Sequence, residues 1–165
     1  MNLKEFKMAP FYNLDKEWAL FTAGDKNKFN TMTVSWGGMG TLWHKPVVTV
    51  YIRPNRYTYE LLKDNDIFTL SFYSDEYKKD LGILGTKSGR DENKLSLTKL
   101  TPKFLETGTT FNEAKLTIVC KKLYSQKLDT DNILNNKEEI IKFYETEPIH
   151  EMFIGEVIDI MDNRG

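Results

Sequence analysis

Asn30-Thr31-Met32-Thr33-Val34-Ser35-Trp36 alternates small polar side chains with apolar ones, which is the two-residue period of a strand whose faces differ. Thr31, Thr33 and Ser35 share one face, so their hydroxyls and the backbone around them would be offered together to whatever lies there. Farther along, Arg53-Pro54-Asn55-Arg56-Tyr57-Thr58 sits where a strand, Val47 to Ile52, gives way to a helix opening at Arg56. That junction sets two guanidinium groups and a hydroxyl beside a helix N-terminus, where unpaired N–H groups and the dipole favour an anion. Arg adds paired, charge-assisted donors. A hydroxyl-lined strand beside a cationic turn reads as a site for a phosphorylated cofactor.

Working outward, Trp18 to Ala23 reads as a first strand, Gly24 to Asn27 as a polar turn and Phe29 to Trp36 as the second strand. Gly37-Gly38-Met39-Gly40 is expected to be a flexible corner where the backbone passes close to a ligand. The helix from Arg56 to Asp64 has Asn55 as its N-cap and Glu60 in its first turn. Ile67 to Tyr73 alternates as a strand, and Ser74 or Asp75 caps a second short helix through Leu84. Gly85 to Asn93 is a polar loop, and Lys115 to Lys127 a long strand. Asp131 to Glu145 favours a helix with Ile133, Leu134, Ile140, Ile141 and Phe143 as an approximate apolar stripe. Glu151 to Met161 is the last strand. Several strands with a few short helices, in no regular βαβ order, predict a mainly β fold, a barrel with helices attached. No repeat, low-complexity tract or linker divides the chain, so residues 1–165 read as a single domain.

Composition narrows the function classes. A net charge of −1 supplies no basic field for nucleic acid or an anionic membrane surface. Aromatic residues make up 13%, which suits β structure or a site for a flat ligand. The single cysteine, Cys120, excludes a disulfide framework within the chain and points to a reducing compartment. Its place in the apolar run Leu116 to Cys120 makes it a buried strand residue. The N-terminus lacks the apolar core of a signal peptide, and no apolar run approaches the roughly 20 residues of a membrane helix, so a soluble cytoplasmic protein is expected.

Several chemistries find no support. Gly37 to Gly40 does not match G-x-G-x-x-G, and Gly85-Thr86-Lys87-Ser88-Gly89 lacks the P-loop spacing. Two histidines, His44 and His150, and one cysteine make no metal-ligand cluster, and no nucleophile elbow is present. His44 has no motif behind it and reads as a loop or surface residue.

Four segments in order, NTMTVSWG (Asn30 to Gly37), RPNRYTYELL (Arg53 to Leu62), GTKSGRDENK (Gly85 to Lys94) and HEMFIGEV (His150 to Val157), resemble the flavin reductase-like, FMN-binding split-barrel family, its flavoredoxin-type branch in particular. Each segment alone is weak; four in the family's order are fairly specific. The resemblance implies a split β-barrel holding FMN. It implies electrons from NADH or NADPH or from a redox protein partner, and a homodimer with the flavin near the subunit junction. Along the strand, Asn30, Thr31, Met32, Thr33, Val34, Ser35 and Trp36 are the implied cofactor contacts. Backbone groups would address the ring, and hydroxyls the ribityl chain or phosphate. Arg53, Asn55, Arg56 and Thr58 are implied at the phosphate, with Ser88, Gly89 and Arg90 in the following loop and Lys94 at the family's basic position. Leu95 stands where the family carries an aromatic, which removes stacking there. His150 opens an H-x-x-F-x-G-x-V ending and is the implied catalytic residue, orienting substrate or offering a proton near neutral pH; a structural histidine fits the same place.

The residues themselves leave alternatives open. A slip of one residue inverts which parity of the strand meets the ligand. Trp36 stacks on the ring or packs in the core, and the two arginines and loop 86–91 read equally as solvated surface. The implied function is an FMN-binding oxidoreductase passing electrons from NAD(P)H or a redox partner to an acceptor. Two alternatives stand beside it: an FMN-bound electron carrier with no direct NAD(P)H reaction, and a split-barrel binding module without flavin.

Overall fold

A computed structural model describes residues 3–165. Nine strands carry the fold: β1 (Ala19–Gly24), β2 (Phe29–Val34), β3 (Gly37–Leu42), β4 (Lys45–Ile52), β5 (Ile67–Phe72), β6 (Pro102–Leu105), β7 (Gly108–Phe111), β8 (Leu116–Lys127) and β9 (Glu151–Asp162). Seven form one antiparallel sheet in the order β2-β1-β5-β8-β9-β4-β3, and β6 pairs with β7. The helices are short: α1 (Pro10–Tyr12), continued by a π-helical turn Asn13–Glu17, then α2 (Tyr57–Asp64), α3 (Lys78–Thr86) and α4 (Lys137–Ile141). No helix among the described residues is long and apolar enough to cross a membrane.

The sheet is forced to roll up by the stretch from Asn30 to Trp36. β2 and β3 are its two free edges, yet only Ser35 and Trp36 separate them in the chain. Six strand spacings laid flat would put those edges ~29 Å apart, while so short a link reaches roughly 10 Å. The sheet therefore curls until its edges meet without pairing, giving a split barrel. Phe21, Phe68, Leu70, Val48, Val50 and Ile52 fill its interior. β1 is buried along its whole length because its other face meets a second cluster, where Leu20 packs with Leu81 and Leu84 of α3 and with Phe111.

Several sequence expectations change. Gly37 to Gly40 is edge strand rather than corner, paired with β4 from Gly37↔Val50 to Leu42↔Lys45. The link from β3 to β4 is a two-residue turn, Trp43-His44, with φ of 51° and 59°; a tight hairpin of the primed type needs two such values. Without Asn-Gly, nothing in the sequence announced it. The helix expected over Asp131 to Glu145 is broken into a 3-10 turn (Thr130–Asn132), α4 and a second 3-10 turn (Lys142–Tyr144). Asn136 enters α4 in the left-handed region, and Leu134 of the expected stripe is 88% exposed. α2 begins after Arg56, not Asn55, and has no side-chain cap; Asn55 instead donates to Glu147 at 2.8 Å. Ser74 caps no backbone N–H, its hydroxyl donating to Glu76. Cys120 is buried in β8, and burial pushes its thiol well above the ordinary range.

Candidate functional site

Three adjoining hollows run along β2 and the β2–β3 link. A polar cavity of about 480 Å³ lies between the end of β4, α2 and the loop after α3, and Asn30, Arg56, Thr58, Gly89 and Lys94 are among its walls. A crevice of about 180 Å³ continues from it past Met32, Arg53 and Arg56 to Ser35, Trp36 and His150. There an apolar cavity of about 540 Å³ opens between Leu14, Trp36, Met39, Tyr51 and Tyr144. The two cavities joined by the crevice fall in the range of small-molecule sites. The path is polar at one end and aromatic at the other.

The hydrogen bonds of β2 show where its hydroxyls point. Thr31 donates its hydroxyl to the Phe21 carbonyl at 3.2 Å and accepts from Thr22 at 2.9 Å. Thr33 donates to the Leu81 carbonyl at 2.5 Å. Both face α3 and the second cluster, so these two hydroxyls are turned inward, while Thr33 also borders the crevice. Asn30 and Met32, of the opposite parity, are the residues of β2 that line the polar cavity. Val34 packs in the barrel core beside the crevice, and Ser35 borders both crevice and apolar cavity. Trp36 is 46% exposed rather than core, set edge-on to Phe143 with centroids 5.4 Å apart.

At the polar end, Asn30 donates to the Thr58 hydroxyl at 2.7 Å. Gly89 presses against the same amide: a Cβ there would lie 2.1 Å from Asn30 Oδ1, so a side chain at this position would have to displace the Asn30 amide. Arg56 donates to the Gly85 carbonyl at 3.0 Å. Lys94, 4% exposed, donates to the carbonyls of Leu84 and Lys87 at 2.9 and 3.0 Å. Neither cation forms an ion pair among the described residues. Burial lowers the Arg56 guanidinium below its ordinary value, with Glu147 pulling the other way. Burial, and then the neighbouring Arg56, pushes Lys94 down to about 8. Two crowded, partly desolvated cations with no ion-pair partner among the described residues make a place that an anion relieves. The other predicted residues of this end are engaged within the protein. Arg90 pairs with Glu60 and lies over the Tyr57 ring. Ser88 accepts from the Arg90 N–H at 3.2 Å. Asn55 sits at the rim through Glu147. Arg53 gives both terminal nitrogens to backbone carbonyls, Pro148 at 2.9 Å and Phe143 at 3.1 Å.

His150 stands at the crevice's far end, buried, 5.3 Å from the Trp36 ring centroid and with Nδ1 3.1 Å from the Tyr144 hydroxyl. Burial, and then Arg53, pushes its pKa down to about 4. It is therefore neutral near pH 7, and the expectation that it offers an imidazolium proton there is corrected: the charged form is too poorly solvated. Because the folded value lies below the ordinary 6.5, the unfolded chain binds the extra proton between pH 6.5 and 4, and stability falls as pH falls through that window. Chemical denaturation should show His150→Gln losing about 2 kcal/mol less than the parent between pH 7 and pH 5, following the cost per pKa unit. Parallel pH profiles for the two proteins would place the imidazole in water. His44 is exposed, in the tight turn. Tyr144, which touches His150, was missed by sequence reasoning because five residues of irregular chain lie between them and no periodicity links the two.

The model of the flavin reductase-like domain family matches residues 11–165. No curated protein matches the sequence. Among solved structures, flavoredoxin of Desulfovibrio vulgaris (Miyazaki F) is 24% identical with a TM-score of 0.67, covering 88% of this chain and 68% of its own. The FMN-binding protein from Thermus thermophilus, solved with bound 1-cyclohex-2-enone, is 21% identical with a TM-score of 0.69 over 90% of this chain and 71% of that one. The flavin reductase of styrene monooxygenase from Pseudomonas putida S12 is 16% identical, TM-score 0.65, over 88% and 79%. A mainly β split barrel, four ordered motifs and a family model spanning nearly all of the chain agree: this protein is a member of the flavin reductase-like domain family.

Proposed function

We propose that the chain is an FMN-binding oxidoreductase that takes electrons from NADH, NADPH or a redox protein and delivers them to an acceptor. The observation that carries this reading is the pair Arg56 and Lys94. Both are buried or partly buried cations without ion-pair partners, at the end of a polar cavity that leads into an aromatic one. FMN has that polarity along its length: a phosphate, a polar ribityl chain and a flat ring. Arg56 and Lys94 would hold the phosphate, with Thr58, Asn30 and the loop Ser88-Gly89-Arg90 closing around it. Met32 and the backbone of Thr33 to Ser35 would flank the chain and ring, and Trp36 would border the ring at the β2–β3 link. Bound flavin supplies the hydride and electron chemistry; the protein supplies orientation and shelter from water. A cytoplasmic homodimer with residues 1–165 as one flavin domain belongs to the same proposal.

A second reading, an electron carrier without a direct NAD(P)H reaction, is favoured by the exposure of Trp36 and Phe143 at the aromatic end, where a donor protein could approach. The purified protein should bind FMN with a visible spectrum and bind riboflavin more weakly. Anaerobic NADH and NADPH then separate the readings: bleaching supports the oxidoreductase, and a flavin reduced only by a donor protein supports the carrier. A protein that takes up neither flavin sinks both.

A further inference from the structure

Between β8 and β9 the chain leaves the sheet over residues 128–150 and returns as one wall of the apolar cavity, through Leu128, Tyr144 and His150. Arg53 fastens this wall. Its guanidinium donates to Pro148 and Phe143 carbonyls and lies 5.5 Å from the Tyr144 ring centroid. The Tyr144 hydroxyl is in turn 3.1 Å from His150 Nδ1. His150 Nε2 has no hydrogen-bond partner among the described residues, although the residue borders both the crevice and the apolar cavity.

We propose that Arg53 and Tyr144 are positioning residues that hold His150 in the tautomer carrying its proton on Nε2, so that a neutral N–H donor is presented to the cavity. A phenol and a neutral imidazole can bond in two senses. The phenol is by far the stronger acid and the imine-type ring nitrogen the stronger base, so the hydroxyl donates to Nδ1. The proton of the neutral ring then belongs on Nε2, as the bond made by one nitrogen fixes the other. Arg53 makes this geometry permanent by pinning the backbone on both sides of Tyr144, which otherwise lies in a 3-10 turn without buried residues. A neutral donor in an apolar pocket discriminates by acceptor strength: its bond to a carbonyl or ring nitrogen strengthens as that atom gains negative charge. That matches a flat ligand undergoing reduction. The purpose rests on the flavin reading above, whereas the tautomer does not.

The test is the long-range proton–nitrogen spectrum of the imidazoles in the full chain, before and after FMN is added. The chain has only two histidines, and His44→Gln leaves His150 alone in the spectrum. At pH 7 the Nε2–H form should exceed the Nδ1–H form by about fivefold, the worth of one net hydrogen bond. Tyr144→Phe should lower that ratio toward the intrinsic preference of an unpartnered imidazole, with the backbone spectrum otherwise retained, and Arg53→Met should move it the same way from a distance. A predominant Nδ1–H form in the parent protein overturns the proposal even if no variant folds. So does a Tyr144→Phe spectrum with the parent's tautomer ratio. Failure of the parent to bind FMN would remove the flavin reading and leave the tautomer result standing.

Discussion

Replacing Arg56 by alanine is expected to weaken FMN binding by ~30- to 1,000-fold, corresponding to ~2–4 kcal/mol for lost charge-assisted bonds to a partly buried anion. The parent side chain reaches the polar cavity with one arm on the Gly85 carbonyl, which leaves the rest of its fork for a phosphate. Riboflavin, lacking the phosphate, should bind parent and variant with similar affinity. That comparison separates a phosphate contact from mere loosening of the end of α3, since loosening would weaken both ligands alike. Arg56→Lys should fall between, keeping the charge while losing the planar fork. Lys122→Ala is the matching control: Lys122 is also a partly buried cation, but it donates to the Leu62 carbonyl near the end of α2, away from the cavity. Isothermal titration of the apoproteins would settle the point, and equal FMN affinities for Arg56→Ala and Lys122→Ala would remove Arg56 from the site.

At the polar end the strand-to-helix junction at Arg53–Tyr57 follows from β-branched residues giving way to helix formers, whereas Gly89 and Lys94 entered only through the resemblance of the GTKSGRDENK segment, because nothing local ties that loop to Arg56 and Thr58. The facing of β2 was not legible. Its alternation is real, but period two gives two faces, and which one meets the ligand depends on the partners across the sheet. Thr22 opposite Thr31 and Leu81 above Thr33 draw the hydroxyls inward. Arg53 shows the same limit from the other side. Two arginines three apart look equivalent in the sequence, yet only the fold brings the Phe143 and Pro148 carbonyls to one of them. Three other features eluded the sequence for separate reasons. β3 is Gly-rich and so lacks a strand signal; its turn uses Trp and His at positive φ; and the segment 128–150 has helical composition interrupted by Asn136.

Gly155→Ala is expected to lower stability by about 3 kcal/mol or more, at the upper end of overpacking effects. Gly155 is the glycine of the H-x-x-F-x-G-x-V ending, and packing explains it without reference to ligand. A Cβ at this position would lie 2.6 and 2.7 Å from Phe68 ring atoms and 2.9 Å from Cys120 Cβ. Neither neighbour has room to retreat. Phe68 is fully buried and packed on Phe21 with centroids 5.0 Å apart, and Cys120 Cβ is fixed to β8 beside a register shift. In a chain of this size each kcal/mol lowers the melting temperature by ~2–4 °C, so a fall of roughly 6–12 °C is expected. The mechanism makes a second, sharper demand. Phe68→Leu removes the ring that the new methyl strikes, so the double variant should be less destabilised than the sum of the single ones, with a coupling of at least about 1 kcal/mol. Additive losses would mean that the ring is not what excludes a side chain at Gly155, and the strain would then have to lie in the β8–β9 backbone itself.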